Sequence, residues 1–263
     1  MTTSAKPSVS ELAAYLLEQN YLFRGLSQPG VADLLEQSDL GAEKLYSSRP
    51  VYTAFRPGRA LEFLYLIKAG GPVVIKSSPL DRVIAVHYPG SCFGIGDLPF
   101  GYSLFSHAFP SLVEAYKTTD VVKLPLEAVQ QLYQEHDEFR DRYHLLFELQ
   151  AKFQYHLLNC STYPPQAVAA LLRALVYQER TLGNQPDKAG IYEFDLPIDI
   201  IARSCQLNHR TVEHVLKGMQ QVGILAMARS EDVSSDIVRV LDPETLKEVY
   251  SATRDKVAWW PLR

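Results

Sequence analysis

The chain has 263 residues, 47% of them apolar, and a formal charge of −4, which excludes a disordered polymer and a general polyanion binder and leaves room for two ordinary domains. Three cysteines, Cys92, Cys160 and Cys205, are too few and too scattered for a disulfide framework or a zinc site. No apolar run approaches the roughly 20 residues a membrane span needs and residues 1–10 carry no signal-peptide core, so a reducing cytoplasm is the expected location.

The N-terminal residues 1–7 are small and polar. Ser8 and Glu11 then form a capping-box pattern, and Leu12, Ala13, Leu16 and Leu17 follow at helical spacing. A second short helix is expected over 31–37. From Pro50 to Pro125 the character changes to short β-rich runs broken by Pro and Gly, at 51–55, 62–68, 73–77, 82–88, 112–118 and 121–124. Many short strands at this spacing predict an antiparallel barrel or sandwich.

Helical patterning returns at 126–136 and continues over 137–160, about 36 Å if fully helical. In the longer segment Phe139, Tyr143, Leu146, Gln150, Phe153, Leu157 and Cys160 recur at alternating spacings of four and three, a heptad seam along which two copies could pair. The alternative is a long helix packed on its own barrel. Ser161 to Pro165 reads as a hinge, since each Pro pushes its predecessor away from helix and a Pro pair favours a new helix start. Residues 166–180 are apolar at helical spacing, and 192–196 form a short strand.

The most informative stretch runs from Leu196 to Leu225. Ile201, Cys205, Leu207, Val212 and Val215 lie at offsets that lock two short helices around a turn, with Ala202 at their crossing. Asn208 suits the N-cap of the second helix. That helix would expose His209, Arg210, Glu213, His214 and Lys217, as a major-groove reader does. Two runs, 224–228 and 237–241, then flank a polar tip at 229–236, the pattern of a wing. A last helix over 242–250 is capped by Asp242 and Pro243.

Taken end to end, this order of parts resembles the Crp/Fnr family of bacterial regulators. Leu22-Phe23-Arg24-Gly25-Leu26, Phe63 to Gly70, Tyr88-Pro89-Gly90-Ser91-Cys92-Phe93-Gly94, and Thr211-Val212 with Leu216-Lys217 carry the resemblance. It implies an α+β chain: an N-terminal double-stranded β-helix, jelly-roll-like, as a sensor over 1–136; a dimerisation helix over 137–160; and a winged helix-turn-helix over 165–263. It further implies a homodimeric transcription regulator rather than an enzyme. Its partners would be a nucleotide effector and DNA, through Asn208, His209, Arg210, Thr211, His214 and Lys217.

In that family a cyclic nucleotide binds in the roll, its phosphate held by a helix N-terminus and an Arg-Ser or Arg-Thr pair. Gly96-Asp97-Leu98 can stand in for the first part. Phe109 and Pro110 fall where the pair belongs, and neither can neutralise a phosphate. Cyclic AMP held in the usual way is therefore not expected. An iron–sulfur centre lacks its cysteines, since residues 1–20 contain none. His87 and His107 could ligate haem, or be ordinary core and surface histidines. Arg49, Arg56 and Arg59, with Tyr46, Tyr52 and Phe55 nearby, suit guanine stacking and bidentate phosphate contacts, or are solvated turn residues. Cyclic di-GMP, which some family members sense, is the first candidate effector; no other cofactor is expected.

The reader itself departs from the family pattern. Gln206 occupies the turn where Gly is usual. From Asp195 to Leu241 there are six acidic residues against five basic ones, and the wing tip Ser230-Glu231-Asp232 is acidic. A domain that docks on phosphates usually carries a basic excess. The alternative reading is therefore a nucleotide receptor that binds a partner protein, with weak or no DNA binding.

Overall fold

The Ser8–Glu11 pattern opens the chain as a true capping box: Glu11 N–H donates to Ser8 Oγ (3.3 Å) and Ser8 N–H donates to Glu11 Oε2 (2.8 Å). It starts α1 (Val9–Gln19), which buries Leu12, Ala13 and Leu16. The structure is a computed structural model describing residues 7–26, 30–47, 50–53, 62–77, 81–95, 111–158, 163–229, 236–251, 257 and 259–260. It divides into two compact units, 1–80 with 85–150, and 81–84 with 151–263.

Among the described residues α1 is followed by α2 (Val31–Gln37) and eight strands, all in the first unit except the start of the fifth: β1 (Gly41–Leu45), β2 (Pro50–Thr53), β3 (Phe63–Ala69), β4 (Val73–Ser77), β5 (Arg82–His87), β6 (Cys92–Phe93), β7 (Ser111–Ala115) and β8 (Thr119–Pro125). They form two four-stranded sheets, ordered β1-β8-β3-β6 and β2-β7-β4-β5. The crossed strand order is that of a β-roll rather than a meander. Leu64 pairs with Leu124 and Leu66 with Val122 in register, and all four side chains are fully buried. Each such burial contributes about 1.5–3 kcal/mol, so this face is a main source of the roll's stability. On the second sheet the cross-strand neighbours Lys76 and Glu114 form an ion pair, with Lys76 buried.

Two strands escape the sequence pattern. β6 is only two residues long. β1 (Gly-Ala-Glu-Lys-Leu) has little apolar alternation; instead Lys44 faces Asp120 (3.3 Å) and Glu43 meets Lys123 (3.2 Å) across β8. Such partners lie some 80 residues away, where no local window can see them. Gly70 ends β3 at φ +87°, and a Cβ there would overlap the Thr118 carbonyl, so the turn requires glycine.

The strands lead into α3 (Leu126–Glu135) and α4 (Asp137–Leu158). Phe139 on α4 packs on Phe23 (centroids 5.4 Å apart), and Tyr143 donates its hydroxyl hydrogen to the Ile95 carbonyl (2.5 Å). Arg142 donates to the carbonyls of Tyr21 (3.1 Å) and Arg24 (2.7 Å). Asn20 joins the same motif to the roll through the Ser91 carbonyl (3.3 Å), and Tyr21 N–H reaches the Gly90 carbonyl (2.9 Å). The Leu-Phe-Arg-Gly-Leu motif thus ties the N-terminal helices to both the roll and α4.

This packing corrects the expected pairing seam. Phe139, Tyr143, Leu146, Phe153 and Leu157 are all buried within the single chain, and Gln150 is half-buried; Cys160 lies outside the described residues. The seam consumed by the chain's own core leaves a different stripe outward: Asp141, Leu145, Glu148, Lys152 and Tyr155, again at spacings of four and three. Leu145 is half-buried, while Tyr155 is 65% exposed.

The second unit contains α5 (Pro164–Thr181), which starts at the Pro pair as expected, then β9 (Tyr192–Asp195), α6 (Ile198–Cys205), α7 (His209–Gln221), β10 (Leu225–Arg229), β11 (Asp236–Val240) and α8 (Pro243–Ser251). The strands form one antiparallel sheet ordered β10-β11-β9. Asp242 caps α8 by accepting from the Glu244 and Thr245 N–H groups (3.1 and 3.0 Å), and these bonds with the Thr245 hydroxyl hold its carboxyl below the usual range. No described helix is long and apolar enough to cross a membrane.

His87, at the end of β5, is buried; its Nδ1 lies 3.4 Å from Ser91 Oγ and its Nε2 has no partner among the described residues. Burial pushes its pKa down from 6.5 to about 4. Between these values the unfolded chain binds the proton and the folded chain does not. The stability present above pH 6.5 is therefore lost as pH falls toward 4, by up to about 3 kcal/mol. Denaturant unfolding followed across this range should show the slope, and His87→Leu should flatten it.

Candidate functional site

Both helices of the helix-turn-helix are amphipathic with opposite assignments. α6 buries Ile200, Ile201, Ala202, Ser204 and Cys205, and α7 buries Val212, Val215, Leu216, Gly218 and Met219. Ser204 escapes an unsatisfied hydroxyl by donating to the Ile200 carbonyl (2.7 Å). The turn closes as Leu207 N–H reaches the Ala202 carbonyl (3.0 Å). This geometry needs a left-handed residue, and Gln206 supplies it at φ 54°, ψ 43°. A side chain there costs conformational energy that glycine would not.

Asn208 caps α7 as expected, accepting from the Thr211 N–H (2.9 Å) and hydroxyl (3.0 Å). Asn208 and Thr211 are thus committed to the helix end. His209, Arg210, Glu213, His214 and Lys217 are exposed, with Arg210, His214 and Lys217 on one stripe of α7. Arg210 and Lys217 have no ion-pair partner among the described residues.

His209 is not so placed. Its Nε2 lies 3.3 Å from Asp199 Oδ1, while Asp199 Oδ2 lies 3.2 Å from Arg203 Nε. One carboxylate on α6 therefore engages two cationic or potentially cationic groups, one on each helix. Arg239 faces Glu193 across β11 and β9 (3.1 Å), and Arg180 meets Glu244 (3.0 Å). These pairs are partly exposed, so each contributes only about 0–1 kcal/mol to stability. Their larger effect is on the field: each removes one arginine's charge from the surface it stands on. The Asp199–Arg203 spacing of four was legible in the sequence; the link to His209 needed the fold.

A second feature had no sequence signal. Trp259 lies against Gly218, where any Cβ would overlap its ring. Trp260 and Val257 beside it are buried. The C-terminal segment thus props the buried side of α7, and Gly218 is what lets the ring approach.

The proposed effector residues Arg49, Arg56, Arg59, Gly96, Asp97 and Leu98 lie outside the described residues, as do His107, Phe109, Pro110 and the wing tip 230–235. What is described beside them is the floor of the roll: Cys92, Phe93 and Ile95, all buried, with Tyr65 stacked on Phe93 at 4.8 Å. Burial pushes the Cys92 thiol up to about 12, so it is an inert core residue. Tyr46, three residues before Arg49 in the sequence, is 55% exposed.

No protein-family model matches the chain, and no curated protein does. Solved structures do. FixK2 from Bradyrhizobium japonicum is 16% identical, with 81% of this chain and 98% of that one covered at a TM-score of 0.58. A CooA variant from Carboxydothermus hydrogenoformans is 17% identical, with 89% and 97% covered at 0.57. At these identities the likeness establishes architecture: the chain has the fold of the Crp/Fnr regulators, roll, long helix and helix-turn-helix in one order.

Two substitutions test the local reading. Gln206→Gly should stabilise the second unit by about 0.5–1 kcal/mol, read as a higher denaturant midpoint. Gly218→Ala should displace Trp259. Because the chain's two tryptophans are Trp259 and Trp260, the expected red shift in intrinsic emission is unambiguous.

Proposed function

We propose that the protein is a homodimeric, ligand-gated transcription regulator of the Crp/Fnr type, with a nucleotide second messenger as effector and DNA as target. The observation that carries this reading is the outward face of α7, where Arg210, His214 and Lys217 project from a capped, fully packed helix-turn-helix. A polar helix so presented fits a major groove, and Arg210 suits a bidentate contact to guanine. The hairpin of β10 and β11 follows where a wing would lie.

Cyclic di-GMP is favoured over cyclic AMP as effector. The support is chemical: Phe109 and Pro110 carry no cation for a cyclic phosphate, while Arg49, Arg56 and Arg59 are three cations close in sequence to Tyr46, Tyr52 and Phe55. Dimerisation is assigned to the outward stripe of α4 through Asp141, Leu145, Glu148, Lys152 and Tyr155. Only Leu145 and Tyr155 bring apolar surface to it, so the dimer is expected to be weaker than one built on an apolar seam. Effector binding would act by favouring one arrangement of the two units over another.

The partner-protein reading is favoured by one observation, the internal pairing of His209, Arg203, Arg239 and Arg180 with carboxylates. A low-salt gel shift on genomic fragments, with and without effector, separates the two. Binding supports the regulator, and R210A should then weaken it about tenfold. Total absence of binding leaves the partner-protein reading.

Calorimetry with cyclic di-GMP, cyclic AMP and cyclic GMP tests the effector; tight stoichiometric uptake of cyclic AMP would refute the assignment. Sedimentation tests the dimer, and Leu145→Asp should raise its dissociation constant by an order of magnitude or more.

A further inference from the structure

We propose that Asp199 is an internal anion that occupies the nucleic-acid face and fixes how many cations the helix-turn-helix offers to a phosphate backbone. This rests on the DNA reading above. Asp199 stands in the first turn of α6, and the left-handed turn at Gln206 brings the start of α7 back beside it. Each oxygen of its carboxylate is used: Oδ1 toward His209 Nε2 at 3.3 Å and Oδ2 toward Arg203 Nε at 3.2 Å. His209 is the first residue of α7, the end of a reading helix that contacts bases and flanking phosphates.

The two side chains it engages are accessible, His209 at 61% and Arg203 at 37%. A phosphate can therefore reach them, but only by displacing a carboxylate already there or by accepting its charge alongside. On the exposed face of α7 the first residue, His209, is thus internally engaged, while Arg210 next to it and Lys217 two turns on face no carboxylate among the described residues. Such a surface binds DNA through few phosphate contacts and depends on the base contact of Arg210 for what affinity it has. Asp199 is a positioning residue in this scheme, since it acts through Arg203 and His209.

The test uses the full-length protein and a labelled duplex of about three helical turns, followed by fluorescence anisotropy between about 50 and 200 mM salt. D199N keeps the side-chain shape and removes the charge. It should tighten binding about tenfold at the lowest salt and steepen the log–log salt slope by up to about 0.9, the one phosphate contact that Arg203 can recover while Asp81 stays 3.8 Å from it. The triple variant Asp199→Asn, Arg203→Gln, His209→Gln should lose that gain. A gain that persists in the triple variant overturns the proposal, because it would come from lost repulsion alone. Equal affinity and slope for wild type and D199N, with both binding, also overturns it and leaves the regulator reading intact. Binding by D199N alone supports both. If neither binds, the DNA reading fails and the proposal with it. The Arg203 Nε–H and His209 ring resonances give an independent check by nuclear magnetic resonance: they should move in D199N, and resonances that stay put overturn the proposal whatever the DNA result.

Discussion

The packing of α4 on its own unit is the constraint from which the rest of the molecule follows. Phe139 against Phe23, Tyr143 hydrogen-bonded to the Ile95 carbonyl, and Arg142 bonded to the carbonyls of Tyr21 and Arg24 fix the helix at three points. Burying two aromatic rings and satisfying three carbonyls there stabilises the helix far more than its own propensity does. A helix has one apolar stripe to spend, and this one spends it intramolecularly. The stripe left outward, Asp141, Leu145, Glu148, Lys152 and Tyr155, is mixed rather than apolar.

Charge pairing shapes the output end in the same way. The second unit separates packing from recognition cleanly: apolar residues of α6 and α7 hold the bihelical core, and polar residues face outward. Yet three of its arginines, Arg180, Arg203 and Arg239, are engaged by carboxylates of the same chain. The individual pairs add little stability, because they are exposed. They matter through the unit's net field, since each internal pair removes one source of it.

Much of the fold was legible in residue order. The capping box at Ser8, the Pro-pair start of α5, the Asn208 cap and the apolar spacing of α6 and α7 are local signals with local causes, and each appears where the sequence places it. β1 was not legible, because its support is cross-strand charge from β8. The seam of α4 was legible as a stripe but not in its use: spacing shows which residues share a face and cannot show which body that face meets. Of the candidate site, the exposed set on α7 could be read directly, whereas the engagement of His209 by Asp199 could not.

The sequence by itself determined the order of parts, the helix ends and the sides each helix buries, since these depend on periodicity and on side chains within a few positions of one another. Only the tertiary structure decided which cations remain open, which surface of α4 faces outward, and why Gly218 must lack a side chain. Those outcomes depend on pairs far apart in the chain: Phe23 with Phe139, Asp199 with His209, Gly218 with Trp259. Contacts of that kind exist only once the chain has closed on itself.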